Sequence, residues 1–185
     1  VHRYSKPDKG ELYEPFAILP EVTSKIDEKV LIFATSDTKE VQVKIRAGKN
    51  DVSGSVVLNH PSGWVVTPKS IPFSIAQKGE EIPVVFNVTP PNTESEGKLE
   101  PKVTINNKVF DKELVEISYD HIPKQSVLLP SEAKVVRMDI KKSGEHIAYI
   151  MGAGDNVPES LEQIGYQVHI VDPNDIQNGD LDKYD

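Results

Sequence analysis

The sequence predicts a mainly β protein, in which an immunoglobulin-like β-sandwich is followed by an incomplete β-α-β unit. Short apolar segments recur between Pro, Gly and Asn turns at a spacing of about ten residues, which is typical of antiparallel sandwiches. One segment shows the strand period directly, because Val84, Phe86 and Val88 alternate with Val85 and Asn87. After residue 145 the pattern changes to strand, helix and strand, which indicates a second kind of unit.

Composition excludes several classes of partner. The 185 residues carry a net charge of −8 without a Lys/Arg-rich run, which argues against nucleic acid or an anionic membrane surface as a partner. No apolar run reaches the roughly 18 residues that a membrane span requires. Because the chain has no cysteine, disulfides and cysteine-based metal sites are excluded.

Charge is unevenly distributed along the chain. Residues 146–185 contain eight acidic residues and one basic residue, a net charge of −7, whereas the preceding 145 residues contain 21 acidic and 20 basic residues. This shift predicts a domain boundary near residue 145. Neither VHRYSKPDKG nor LDKYD looks like a natural terminus, so we expect the chain to be part of a longer protein.

The first predicted domain is the sandwich over residues 15–120, preceded by a loose, polar lead-in at 1–14. Trp64 follows a Pro61-Ser62-Gly63 turn, where a large ring can fill a sandwich core. A polar loop is expected at 90–97. Strands are predicted at 16–22, 29–35, 41–45, 55–58, 71–76, 82–89, 102–106 and 109–119, the last two joined as a hairpin through Asn106-Asn107.

The remaining residues divide into a linker and an α/β segment. Residues 121–145 carry two early prolines and predict a linker with one strand, at 133–140. Residues 146–185 predict a strand at 147–151, a helix at 158–164 and a second strand at 166–171. Pro158 suits the first helical turn and Gly165 suits the end of the helix.

Two sets of segments resemble known architectures. The segments PSGWVVTP, FSI, KGEEIPVVFNVTPP and EGKLEPKVTI resemble the immunoglobulin-like accessory domain that follows catalytic domains in α-galactosidases and other bacterial carbohydrate-active proteins. The segments ISYDHIPKQ and IAYIMGAGDNVPESLEQIGYQVHIVD resemble the region after the sandwich in large exported LmbE/PIG-L-type deacetylases of Bacteroidetes, which are GlcNAc-PI de-N-acetylase-like proteins.

The resemblance implies a non-catalytic accessory region of an exported (periplasmic or extracellular) de-N-acetylase-like protein. Such a region would position the catalytic domain, or engage glycan or a partner domain. The resemblance therefore implies other domains of the same polypeptide as partners, and glycan where the region engages one. In that family a separate zinc-dependent domain with a His-Pro-Asp-Asp motif performs catalysis. Here 59–63 reads Asn-His-Pro-Ser-Gly and lacks both aspartates, so no catalytic residue, cofactor or zinc site is assigned.

An alternative function places a small-molecule-binding or enzymatic site in the α/β segment, which resembles the start of a flavodoxin-like or glutamine-amidotransferase-like domain. Its site would be Gly152, Gly154, Asp155 and Asn156, because backbone N–H groups between a strand and a helix can bind an anion. The GAGD loop is neither GxGxxG nor a Walker A loop. Asp155 also fits a purely structural role as an N-cap or turn residue.

Two other features have both a functional and a structural interpretation. Trp64 would stack on a sugar if it were exposed, but a lone Trp after a turn also fits core packing. The five histidines show no pair at metal-ligand spacing, so we expect surface or loop roles and no metal site. The Asp120 carboxylate would polarise the imidazole of His121, although no third ligand or nucleophile lies near the pair in the sequence.

Overall fold

The computed structural model describes residues 2–7, 10–14, 17–119, 122–173 and 184. Across these residues the fold is mainly β, as the sequence predicts, with a single short helix. That helix is too short to cross a membrane, and no other described segment forms a spanning helix. The predictions for Phe16, and for Asp120-His121, lie outside the described residues.

The elements follow one another in an order dominated by short strands. In chain order they are β1 (His2–Lys6), β2 (Gly10–Glu14), β3 (Val22–Ile26), β4 (Val30–Phe33), β5 (Lys39–Ala47), β6 (Val52–Asn59), β7 (Val65–Thr67), β8 (Ile71–Ile75), β9 (Glu81–Thr89), β10 (Ser95–Ile105), β11 (Lys108–Phe110), β12 (Lys112–Tyr119), β13 (Ile122–Pro130), β14 (Ala133–Arg137), β15 (His146–Tyr149), α1 (Val157–Gln163) and β16 (Gln167–Ile170).

Two sheets form the body of the molecule. The larger has the strand order β4-β14-β10-β6-β8, with β11 paired to β10, and the smaller has the order β3-β5-β9-β7. Neighbouring strands are antiparallel except β14 and β4, which run parallel. The predicted alternation in β9 is confirmed, since Val84, Phe86 and Val88 are buried while Val85 and Asn87 are exposed.

One hydrophobic core joins the two sheets. Apolar side chains from both belong to a single buried cluster, including Val43 and Phe86 from the smaller sheet and Val56 and Leu99 from the larger. Each fully buried side chain of this size contributes about 1.5–3 kcal/mol relative to an exposed one. The alternating strands therefore stabilise the body chiefly by burying one face of each sheet.

Strand β14 differs from its predicted place in a linker, because it is an inner strand of the larger sheet. It pairs with β10 on one side and with β4 on the other, and Ala133 and Val135 are in the core. Buried and more exposed residues alternate along β14, so one face of the strand packs in the core while the strand lies between β4 and β10. The body therefore extends to residue 137.

The segment after the Asn106-Asn107 turn also differs from its prediction. That turn, with φ +47° and +64°, joins β10 to the short β11, but the predicted strand at 109–119 is interrupted at Asp111. Beyond this point β12 pairs with β13, which the prolines had assigned to a linker. Pro123 and Pro130 are tolerated there because a two-stranded ribbon consists only of edge strands.

Three other predictions at the start of strands need correction. The lead-in forms a hairpin, β1 with β2, in which Arg3 lies 5.1 Å from the centre of the Tyr13 ring. The first strand of the body begins at Val22, the last residue of the predicted strand at 16–22, and Ile18 is 84% exposed. Strand β10 begins at Ser95, inside the predicted polar loop, because its first residues pair with β14.

The last described elements form a separate small sheet. Strands β15 and β16 pair in parallel, and α1 connects them. The helix lies against the outer edge of β4, where Ile32 N–H donates to Gln163 Oε1 at 3.0 Å. Lys39 Nζ also donates to the carbonyls of Ile32 at 2.7 Å and Gln163 at 3.0 Å. The C-terminal turn of the helix is thereby fastened to the body.

Candidate functional site

The GAGD loop lies between β15 and α1, as predicted, and Asp155 holds it in place. Asp155 accepts hydrogen bonds from the Tyr149 hydroxyl and, at 3.0 Å, from Val157 N–H. Gly154 has φ +69°, a conformation that favours glycine. A Cβ at residue 152 would lie 3.2 Å from Asp155 Oδ2, so a side chain there would require the carboxylate to shift slightly.

The electrostatics of this loop favour fixed protonation states. The hydrogen bond from Tyr149, followed by that from Val157 N–H, lowers the pKa of the Asp155 carboxyl, although desolvation opposes the change. The same hydrogen bond raises the pKa of the Tyr149 phenol. At neutral pH Asp155 is therefore ionised and Tyr149 protonated, whereas a general base works best with a pKa near the operating pH.

The hydrogen bonds of Asp155 therefore join the loop to β15 and to the start of α1. Asn156 occupies the N-cap position of α1 without a side-chain cap hydrogen bond, and the Asp155 carboxylate binds the first helical N–H instead. Pro158 lies in the first helical turn, as predicted. The helix has seven residues, so its dipole is short. The structure brings Gly152, Gly154 and Asp155 together as a self-contained turn.

Trp64 is a residue of the hydrophobic core. The side chain is 3% exposed and meets the Phe33 ring edge-on, with ring centroids 5.0 Å apart. Its indole N–H donates to Ser95 Oγ at 3.1 Å, which satisfies the one polar atom of the ring. The buried indole offers little surface for stacking on a sugar, so its burial supports the structural interpretation of Trp64.

An open groove beside Trp64 is lined by residues of β6, β7 and β10 and of the loop between β6 and β7. Its volume is about 770 Å³, and polar side chains line it at Asn59, His60, Lys69, Lys98 and Glu100. Lys98 is already paired with Glu132 at 2.8 Å. Among the described residues that line the groove, Trp64 and His60 carry aromatic rings; Trp64 is buried and His60 is exposed.

Histidine placement shows one relationship that the sequence did not reveal. His146 and His169 lie on the paired strands β15 and β16, with Nδ1 of His146 3.3 Å from Nε2 of His169. His60 is exposed, and its Nδ1 lies 3.1 Å from the carbonyl oxygen of Pro61. In the part of the chain that the structure describes, no group of three or more His, Cys, Asp or Glu side chains converges to hold a metal. His146 and His169 are 23 residues apart in the sequence, so their spacing does not predict that they meet. Only the parallel register of the two strands would have predicted it.

The comparisons show no family for this chain. No family model matches the chain. No curated protein matches it either. Among solved structures, a family 123 glycoside hydrolase from Clostridium perfringens, described for glycolipid glycan hydrolysis, is similar over 70% of this chain, with 6% sequence identity and a TM-score of 0.38. The chain spans 30% of the length of that hydrolase.

Proposed function

We propose that this chain is a non-catalytic accessory region of an exported bacterial de-N-acetylase-like protein. In this proposal an immunoglobulin-like sandwich and the first part of a flavodoxin-like or amidotransferase-like domain are held in one fixed orientation. The chain thereby positions neighbouring domains of the same polypeptide. The observation that carries the proposal is the fastening of α1 to the edge of β4 by Gln163 and Lys39.

The hydrogen bonds of Gln163 with Ile32 and Lys39 hold α1 against the body, and we call this contact the joint. The Gln163 side chain covers the backbone N–H of an edge strand, which would otherwise be open to pairing with another chain. The Lys39 ammonium binds a carbonyl in the last turn of α1, where backbone carbonyls lack helical partners and a cation is favoured. Burial lowers the pKa of Lys39, consistent with an ammonium set into the joint.

The interior of the body supports the same conclusion. Its core is filled by apolar side chains, and the aromatic contact between Phe33 and Trp64 bridges the two sheets. The loop that could have held a small molecule is occupied by its own hydrogen bonds to Asp155. A positioning role requires rigid contacts, and the packed core and the hydrogen-bonded loop are contacts of this kind.

Residual dipolar couplings of the backbone amides test the positioning role. In the wild-type chain a single alignment tensor should fit both the two sheets of the body and the β15-α1-β16 unit. In the double variant Lys39→Met/Gln163→Ala the two parts should require different tensors. Different tensors in the wild-type chain would overturn the proposal, because the joint would not hold a fixed orientation.

An activity assay tests the non-catalytic part of the proposal separately. The purified chain, with and without added Zn²⁺, should release no acetate from N-acetylglucosamine substrates. Sustained acetate release that follows the concentration of the chain would show that it is itself an enzyme. Zinc binding alone would not contradict the proposal, since hydrolysis is the measured property.

A further inference from the structure

The groove beside Trp64 carries polar side chains that the fold leaves without partners. Asn59 and Glu100 are opposite each other in the register of β6 and β10, and the residues next to them, Leu58 and Leu99, are buried. Because side chains alternate along a strand, Asn59 and Glu100 both point away from the core. Within the described part of the chain, the side chains of Asn59, Glu100 and Lys69 take part in no hydrogen bond.

Apolar side chains form another part of the same lining. Val57 is 36% exposed and Val65 is 54% exposed, and Pro61 is half-buried. Val57 lies two residues before Asn59 on β6 and therefore shares its outward face. The groove thus combines apolar surface with unpaired polar groups, and its volume of about 770 Å³ is in the range of small-ligand sites.

The polar groups of the groove can both donate and accept hydrogen bonds. The Lys69 ammonium only donates, the ionised Glu100 carboxylate only accepts, and the Asn59 amide does both. The carbonyl oxygen of Pro61 can only accept, so in the neutral imidazole of His60 the Nδ1 atom, 3.1 Å away, carries the proton and Nε2 remains an acceptor. A hydroxyl group also donates and accepts, so a ligand with several hydroxyls matches this lining.

The charges of the lining are nearly balanced, which favours a neutral ligand. Lys98 already binds Glu132 at 2.8 Å, so Lys69 and Glu100 remain as one charge of each sign. A strongly charged ligand would instead require a cluster of one sign. Strands β6 and β10 are each paired on both sides, so this wall has no open backbone edge to which an extended peptide could add.

We propose that the groove beside Trp64 binds a neutral saccharide. Hydroxyl groups of the sugar bond to Asn59, Lys69 and Glu100, and the apolar face of its ring lies on Val57 and Val65. The buried indole of Trp64 supports the groove from the core and does not stack on the sugar. This binding is separate from the positioning role, because the joint of α1 to β4 contributes no residue to the groove.

Titration of the ¹⁵N-labelled chain with maltotriose, cellotriose, mannotriose and triacetylchitotriose tests the site by NMR. With at least one of them, the backbone amides of residues 57–60, 65–69 and 98–100 should shift and saturate, with a dissociation constant of about 1 mM or lower. The amides of β15 and β16 should not shift. Binding should persist in about 0.5 M NaCl, because salt screens charge attraction and the ligand is neutral.

Variants of the unpaired groups locate the binding. Asn59→Ala and Glu100→Ala should each weaken it about fivefold or more, since each removes one hydrogen-bonding group. Gln42→Ala is the matched control, because it removes an exposed amide from β5, outside the groove, and should bind like the wild type. The amide spectrum of each variant shows directly that the chain is folded.

Three results would overturn the proposal. The first is that none of the four saccharides moves the groove amides at about 20 mM. The second is that binding is unchanged in both Asn59→Ala and Glu100→Ala, or equally weakened in Gln42→Ala. The third is that the groove amides respond to the uncharged peptide acetyl-Gly-Ser-Gly-Ser-amide but to no saccharide, which would make the groove a peptide site.

Discussion

Gln163 and Lys39 meet where helix α1 rests on the edge of the larger sheet: Lys39 Nζ donates to the Gln163 carbonyl at 3.0 Å. The same glutamine accepts the Ile32 N–H through its side chain, also at 3.0 Å. Two hydrogen bonds therefore join the body to α1. A third, from Lys39 Nζ to the Ile32 carbonyl at 2.7 Å, lies within the body and engages the same backbone residue.

The first prediction concerns this joint. Gln163→Ala should weaken the docking of α1 by about 1 kcal/mol, the typical net contribution of one hydrogen bond. Hydrogen exchange at the Ile32 amide should become faster, because that amide loses its acceptor. Gln167→Ala, on the exposed side of β16, is the control and should leave the Ile32 amide unchanged. Equal exchange at Ile32 in the wild type and in Gln163→Ala would show that the joint is not formed in solution.

The second prediction concerns the indole at the centre of the core. Trp64→Ala should destabilise the body by about 3–5 kcal/mol, as for other large buried aromatics. Ser95→Ala should cost about 1–3 kcal/mol, because it leaves the buried indole N–H without an acceptor. Urea unfolding followed by circular dichroism measures both. Ser74→Ala, at an exposed position on β8, should change stability by less than about 0.5 kcal/mol; a comparable loss there would refute the assignment to the indole.

A third prediction follows from Arg137, a buried cation at the end of β14. Its side chain is 7% exposed and binds Asp139 at 2.7 Å, while its buried Nε and Nη1 atoms have no hydrogen-bond partner among the described residues. Replacing such a group by a hydrophobic residue of similar size is often neutral or stabilising, by about 1–4 kcal/mol. We therefore expect Arg137→Met to unfold at the same or a higher urea concentration than the wild type.

The aspartate partner provides the internal control for that result. Asp139→Ala should destabilise the wild type by about 1–3 kcal/mol, because it leaves the guanidinium without its acceptor. In the Arg137→Met background the same change should have little effect, since the two residues act together. A large, equal loss in both backgrounds would mean that Asp139 stabilises the fold by other contacts.

The alternating strands were predictable from the sequence, and their partners were not. The buried face of β9 follows from the spacing of Val84, Phe86 and Val88, because a sheet with one core face requires that period. Nothing local shows that β14 pairs in parallel with β4, about a hundred residues earlier in the chain. Pairing across such a distance depends on how the whole set of strands packs, so a correctly predicted strand was assigned to a linker.

The candidate site shows the same limit. Local signals placed the GAGD turn and the helix that follows it, since Gly154, Pro158 and the acidic cap residues act within a few positions of one another. They did not show that Asp155 would be engaged by Tyr149, or that His146 would reach His169. Both contacts depend on geometry rather than spacing: the first on the curvature of one turn, the second on the register of two strands.

A fourth prediction concerns acid stability. Glu116 on the β12-β13 ribbon binds Arg46 of β5 at 2.6 Å. Its hydrogen bond with Lys124, then that with Arg46, lowers the pKa of the Glu116 carboxyl below the ordinary value. A lowered pKa contributes stability that is complete above the unfolded-state value, near pH 4.5, and that is lost as the pH falls through the folded-state value.

The unfolding free energy of the wild type should therefore decline more steeply below that pH than the unfolding free energy of Glu116→Gln. The variant should already be less stable at pH 7, and the two curves should converge in acid, where the wild-type carboxyl is protonated. Glu40→Gln, at an exposed position on β5, should preserve the wild-type slope. Parallel curves for the wild type and Glu116→Gln would show that this pair does not contribute to acid stability.

The last prediction is that the β15-α1-β16 unit is less protected than the body. Val84 to Val88 all pair with β5, Asn87 and Val88 also pair with β7, and Phe86 and Val88 are fully buried. Of Ile147 to Met151, only Ile147 to Tyr149 lie in the parallel pair; no residue of β15 is fully buried, and Met151 is 48% exposed. A two-stranded sheet is at best marginally stable in water, so its hydrogen bonds depend on the helix and on the joint to β4.

Local opening of the small unit should therefore precede global unfolding. Hydrogen exchange should give Ile147 to Met151 an opening free energy about 2 kcal/mol or more below that of Val84 to Val88. Protection of the small unit that rises with protein concentration would indicate pairing between copies of the chain through the open edge of β15 or β16. If Ile147 to Met151 exchange as slowly as Val84 to Val88 at every concentration, the joint to β4 makes the two parts a single cooperative unit, and the prediction is wrong.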